Sequence, residues 1–197
     1  MLITSITKQK GDRYVLYVDG ENYATVDGVV LLTHRLKVGS EVAESVLLQL
    51  KEESGANFAF LDAVKYLSRS RHTESEVRGK LSSKGYGDKE IDVAIKKLIE
   101  YGYVDDEAYA KAYVLTYGAT RGKNRLRYEM SLKGVKKEYI DEALPEDEYL
   151  SAYKLAEKKR SRYSDREKLI RYLIGRGYDW EVSRRVVEQL EGDDETF

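Results

Sequence analysis

Catalysis needs a nucleophile, a titrating base or a set of metal ligands, and this chain of 197 residues offers few of these. It has no cysteine, which excludes disulfide scaffolds, thiolate zinc sites and cysteine nucleophiles, and fits a reducing cytoplasm. Its two histidines, His34 and His72, lie far apart in sequence. There is no G-x-G-x-x-G, P-loop, H-E-x-x-H or G-x-S-x-G motif to organise a cofactor, a phosphate or a hydrolytic serine. His72, polar and beside an expected helix cap, reads as a surface residue. Asp105-Asp106-Glu107 has the composition of a metal cluster, but carboxylates at a helix start cap free N–H groups and suit the helix dipole. The expectation is a protein without catalytic residues, metal or cofactor.

Binding chemistry is better supplied. The formal charge is only −1, from 34 Lys+Arg against 35 Asp+Glu, but it is unevenly spread. Residues 110–140 hold eight Lys/Arg against two Asp/Glu, and residues 154–176 hold nine against three. Arg121, Lys123, Arg125 and Arg127 alternate with small or apolar residues, and Lys158-Lys159-Arg160-x-Arg162 forms a second run. Such clusters attract a polyanion by counterion release. The plainer reading is a solvated helix face laced by i, i+4 ion pairs, for which Lys168 has a candidate partner and Arg127 has none. Tyrosine numbers 17, and Tyr113, Tyr117, Tyr128 and Tyr163 lie beside basic residues, a composition shared by protein interfaces and nucleic-acid stacking platforms.

The elements that position these residues fall into two kinds. Ile3–Lys8, Tyr14–Val18 and Tyr23–Val26, separated by Gly11-Asp12 and Asp19-Gly20, read as antiparallel strands joined by tight turns. With the apolar run Val29–Leu32 they give a small β unit over residues 1–39, too small for a large core of its own. From Ser40 the period becomes helical. Val42, Val46, Leu47 and Leu50 share a face, and Gly55 marks the expected end of that helix.

Beyond it one pattern occurs three times: Val77-x3-Leu81-x3-Gly85-Tyr86, Leu126-x3-Met130-x3-Gly134-Val135 and Leu169-x3-Leu173-x3-Gly177-Tyr178. Apolar residues four apart followed by glycine describe a helix closed by a left-handed cap, with the next residue packing back on it. Thr73-x-x-Glu76 and Ser164-x-x-Glu167 have the capping-box form at two of the three starts. Apolar stretches lie upstream at Phe60–Leu67, Tyr109–Leu115 and Tyr149–Ala156. Downstream, Ile91/Ile95, Ile140/Leu144 and Val182/Val186 give the apolar pair of a further helix. Each unit is three short helices, longer than the roughly 34-residue two-helix tetratricopeptide repeat. Tyr86 and Tyr178 are expected with ring packed and hydroxyl in water. Pro145, the only proline, falls between the second and third units, where it can open a helix at its first position.

The expected fold is mainly α: three tandem three-helix repeats forming an elongated curved solenoid, with a small N-terminal antiparallel β unit. The boundaries read as a β unit at 1–39, a connecting helix at 40–57, repeats at 58–104, 105–145 and 146–191, and an acidic tail at 192–197. No apolar run approaches the roughly 18 residues of a membrane span, and the start, Met1-Leu2-Ile3-Thr4-Ser5, lacks the layout of a signal peptide. A soluble cytoplasmic monomer is expected.

Three of these segments resemble a known family. Residues 63–81, with Leu67-Ser-Arg-Ser-Arg-His-Thr-Glu-Ser-Glu-Val77, are similar to the first-repeat signature of the RecX recombination regulators. Gly102-Tyr-Val-Asp-Asp-Glu-Ala-Tyr-Ala110 resembles the signature joining its first two repeats, and Arg121-Gly-x2-Arg-Leu-x5-Leu-x-Gly-Val135 the second-repeat pattern. The resemblance spans residues 58–191 and is weakest in the third repeat, Ser164–Leu190. It implies a non-enzymatic protein that binds the RecA filament on single-stranded DNA, lodges in its groove, and inhibits strand exchange and ATP hydrolysis in recombination and the SOS response. The contact candidates are Arg121, Lys123, Arg125, Arg127, Lys158, Arg160 and Arg162, with Arg69 and Arg71 next; the last two could instead pair with Glu74 or Glu76. The alternative is a stand-alone protein binding single- or double-stranded DNA through helix-turn-helix-like repeats. The acidic starts Asp88-Lys89-Glu90 and Asp179-Trp180-Glu181 suit a phosphate-lined groove poorly.

Overall fold

The structure, a computed structural model, describes residues 1–163 and 165–195, with the backbone alone for 193–195. It opens with a three-stranded antiparallel sheet in the order β1 (Ile3–Lys8), β2 (Arg13–Val18), β3 (Glu21–Asp27). Asp19 and Gly20 both take positive φ, 50° and 89°, as the tight turn pairing Val18 with Glu21 requires. Ile3, Leu16, Val18 and Val26 form the buried face, and α2 (Glu44–Leu67) covers it with Leu47 and Leu50.

One local expectation fails here, and one open reading is settled. Val29–Leu32, read only as an apolar run of the β unit, lies in α1 (Gly28–Thr33), with Val30 and Leu31 in the sheet's core. The Asp27 carboxylate accepts from the Val29 N–H at 3.0 Å, and this N-cap outweighs the β preference of the branched side chains. Gly55 does not end the helix begun near Ser40. α2 runs through it, and the glycine lets the Glu90 carboxylate of α4 (Asp88–Glu100) lie against the helix where a Cβ would overlap it. Glycine inside a helix costs only about 1 kcal/mol, which close packing offsets.

The remaining helices are α3 (Glu74–Ser82), α5 (Asp106–Tyr117), α6 (Lys123–Leu132), α7 (Lys137–Ala143), α8 (Tyr149–Lys159), α9 (Arg166–Gly175) and α10 (Trp180–Glu195). They give three three-helix units: the second half of α2 with α3 and α4, α5 to α7, and α8 to α10. The middle helices α3, α6 and α9 end alike. Gly85, Gly134 and Gly177 take φ of 89°, 77° and 93°. The following N–H groups of Tyr86, Val135 and Tyr178 donate to the carbonyls of Leu81, Met130 and Leu173 at 3.4, 3.2 and 3.2 Å. The expected cap at Ser164 and the end of the acidic tail, residues 196–197, lie outside the described residues; α9 is capped by Asp165, which accepts from the Lys168 N–H at 3.1 Å.

Pro145 lies between the second and third units as expected but does not open a helix. It sits in the link after α7, where Leu144 is extended at ψ 139°, the conformation a following proline favours. Of the two tyrosines expected with ring packed and hydroxyl in water, Tyr86 is half-buried and Tyr178 is fully buried. Tyr86 donates to Asp62 at 2.9 Å, and burial with that bond pushes its pKa up to about 12. Tyr178 is 1% exposed, and its hydroxyl is buried without a hydrogen bond.

The chain divides into two compact units: Met1–His72 with Glu76–Val104, and Thr73–Ser75 with the chain from Asp105 onward. The first holds the sheet core and a helical core of Ala59, Ala63, Val77, Leu81, Ile91, Ile95 and Leu98. The second holds one core around Leu126, Met130 and Ile140, and another around Leu155, Leu173, Tyr178 and Val186.

Candidate partner-binding surface

The basic residues of α6 and its approach are built into the fold. Arg121 donates to Glu129 at 2.5 Å and to the Tyr113 hydroxyl at 3.0 Å, and its guanidinium lies 3.9 Å from the Tyr117 ring centroid. Arg125 donates to the other Glu129 oxygen at 2.8 Å, and Tyr113 to Glu129 at 3.0 Å. One carboxylate thus gathers two guanidiniums and a phenol. Burial works to raise the Glu129 pKa, but these hydrogen bonds outweigh it and hold the carboxyl below the ordinary glutamate range. Arg127, expected to lack an acidic partner, faces Asp141 at 3.5 Å, because α7 returns beside α6 and brings that carboxylate with it. Asp141 also accepts from Lys137 at 2.5 Å.

Lys123 is held twice. Its ammonium donates to the Glu146 carbonyl, and its N–H to the Glu148 carboxylate at 2.6 Å. Glu148 is 5% exposed, and its second oxygen accepts from the Asp179 N–H at 2.9 Å. The same seam joins backbone to backbone: Gly122 N–H donates to Arg176 and Asn124 N–H to Gly177, at 3.0 and 3.1 Å. A Cβ on Gly122 would collide with the backbone of Gly177 and Tyr178. One polar seam therefore fixes the start of α6 against the α9–α10 turn.

The stretch at the end of α8 and just beyond it differs. Lys154, Lys158 and Arg162 are exposed, and they and Lys159 have no acidic partner among the described residues. Lys158 and Lys159 sit in the last turn of α8, where the helix dipole favours cations. Arg162 lies 6.0 Å from the centroid of the Tyr163 ring, which stacks on Tyr172 at 4.9 Å. Arg160 and Arg166 line a neighbouring groove of about 330 Å³ with Tyr163, Leu169 and Val187. Lys154, one turn before Lys158, was missed in the sequence because it stands outside the run; the i, i+4 spacing is the signal that would find it.

Arg69 and Arg71 are exposed in the turn between α2 and α3. Neither pairs with Glu74 or Glu76, the alternative the sequence left open for them. The nearer histidine takes the second acid: His72 Nδ1 lies 3.2 Å from Glu76, and its ring stacks on Tyr66 at 3.9 Å. His72 is accordingly half-buried and bonded rather than a free surface residue. Asp105 caps α5, accepting from the Ala108 N–H at 2.8 Å. Among the described residues no group of His, Asp and Glu is placed to hold a metal, and no helix is long and apolar enough to cross a membrane.

Models of the first, second and third three-helix domains of RecX match residues 59–98, 105–144 and 146–187. The regulatory protein RecX of Clostridium beijerinckii is 32% identical over 94% of this chain and 92% of its own length. That of Clostridium tetani is 33% identical over 95% and 94%. A crystal structure of regulatory protein RecX aligns with a TM-score of 0.74 at 30% identity, covering 95% of this chain and 98% of the other. The crystal structure of RecX from Lactobacillus salivarius aligns at 0.64 and 26% identity, covering 70% and 97%. With all three domains matched in order, along almost the full length of these relatives, the chain belongs to the RecX family of regulatory proteins.

Proposed function

We propose that this protein regulates recombination in the cytoplasm by binding the RecA filament on single-stranded DNA and inhibiting its ATP hydrolysis and strand exchange, without catalysis of its own. The observation that carries the reading is a family-matched repeat array bearing a cluster of cations that pair with no carboxylate among the described residues. Lys154, Lys158, Lys159 and Arg162 are available to an acidic filament surface or to the DNA within it. The last helices of the first and third repeats begin at Asp88 and directly after Asp179, which disfavours a major-groove reader working alone.

RecA ATPase on single-stranded DNA tests this. The wild-type chain should inhibit at stoichiometric excess, and Lys158→Glu/Arg162→Glu should need at least tenfold more protein while keeping its thermal midpoint. An unchanged ATPase with the wild-type chain sinks the proposal. A gel shift on naked DNA separates the DNA-only reading, which requires binding that falls steeply with salt, with a slope of roughly −0.7 per phosphate contact.

A further inference from the structure

Counted back from their left-handed glycines, the three middle helices share one plan. Eight residues before the glycine stand Val77, Leu126 and Leu169, and four before it Leu81, Met130 and Leu173, all of them buried. Six and two residues before it are outward positions. The first repeat has Gly79 and Ser83 there, and the third has Arg171 and Gly175. The second has Tyr128 and Leu132, exposed at 63% and 69%. Residues four apart share a helix face, so these two side chains form one apolar patch on α6. A lone exposed leucine, such as Leu115, needs no explanation. A tyrosine–leucine pair placed where both sister repeats carry small or charged residues does, because the fold works without it.

The surroundings state what covers it. Residues 121–142 carry seven Lys/Arg against four acids, Glu129, Glu138, Asp141 and Glu142, and stay net basic although Glu129 takes Arg121 and Arg125 and Asp141 takes Arg127 and Lys137. Arg127 adjoins the patch with 46% of its side chain exposed. We propose that Tyr128 and Leu132 are the apolar anchor of a docking face on α6 for a protein surface that is acidic around an apolar pocket. Tyrosine and arginine around a desolvated aliphatic group make an interface hot spot. A nucleic-acid strand offers phosphate and base edges, from which Leu132 gains little. The inference rests on the proposed function in taking the RecA filament as that protein.

The variant Tyr128→Arg/Leu132→Ser gives α6 residue types found in the sister repeats. Its thermal midpoint should stay at the wild-type value. Its binding to naked single-stranded DNA should hold or tighten, since it gains a cation, while its affinity for the RecA filament in co-sedimentation should fall at least tenfold. Leu132→Ala, which keeps the helix preference, should fall severalfold and serves if the double variant loses stability. Filament binding equal to wild type in both variants overturns the docking face alone. Parallel loss on naked DNA also overturns it, making the patch a base-stacking platform. A wild-type chain that ignores the filament overturns this inference together with the proposed function.

Discussion

Residues 121–127 and 154–162 each present a run of cations in the sequence, yet the first run is tied to internal acceptors, even where Arg125 and Arg127 stay partly exposed, and the second is not. Arg121 and Arg125 converge on Glu129, Arg127 faces Asp141, and Lys123 is tied to residues 146 and 148. Lys154, Lys158, Lys159 and Arg162 meet no carboxylate among the described residues. Local charge density is therefore a poor guide to which cations bind a partner; what decides is the acid that the next helix brings alongside. The difference also sorts the mutations. A change in the first run should be read in stability, and a change in the second in affinity.

The largest expected effect tests how firmly the first run is held. Glu148→Ala removes the acceptor for two N–H groups, Lys123 and Asp179, inside the seam. Orphaning both should cost about 3 kcal/mol, at the usual 1–3 kcal/mol for each buried unsatisfied group, measured by urea unfolding. Glu148→Gln, which keeps one acceptor oxygen, should lose less. Equal stability of Glu148→Ala and wild type would mean that the seam does not hold α6.

A smaller loss should follow from Glu129→Ala, which leaves Arg121 and Arg125 facing each other without their shared carboxylate. About 1 to 2 kcal/mol is expected, since the site is partly open to water. Lys158→Glu/Arg162→Glu should stay within about 0.5 kcal/mol of wild type, as surface substitutions do. If the two sets of variants destabilise alike, the contrast between the runs is false.

The sequence was legible where one residue type carries the geometry alone. Asp19-Gly20 needs left-handed backbone whatever surrounds it, and Gly85, Gly134 and Gly177 close their helices by local hydrogen bonds, so the turn and the three repeats could be read directly. It was misleading where the deciding atom is distant in the chain. Gly55 looks like a stop until Glu90 on α4 is seen lying against it, and Arg127 looks unpaired until α7 brings Asp141 back. Pro145 was placed by its own ring chemistry, whereas the link between α7 and α8 used the extended conformation it imposes on Leu144. Glu129 and Glu148, which organise the basic stretch, are single carboxylates with no motif around them, and only their partners reveal them.

The smallest effect concerns acid pH, where the runs should again part. Glu129 has its folded pKa depressed by Arg125, Tyr113 and Arg121 against the opposing effect of burial. As pH falls, the unfolded chain takes up this proton first, so the contribution of Glu129 to stability is complete above the ordinary glutamate range and is lost as pH drops through the lower folded value. Urea unfolding followed downward from neutral pH should therefore show an acid decline that Glu129→Gln makes shallower, because the variant has no proton to bind there. Glu53, held low by hydrogen bonds from His34 and Gln49 against burial, supplies a similar decline in the first unit, so the two slopes must be separated by the variant rather than by shape. Lys158→Glu/Arg162→Glu should leave the acid decline of Glu129 in place, since neither cation touches that carboxylate. A Glu129→Gln profile that superposes on wild type would show that the two guanidiniums are not clamped by the carboxylate in solution. The first run would then be as available to a partner as the second.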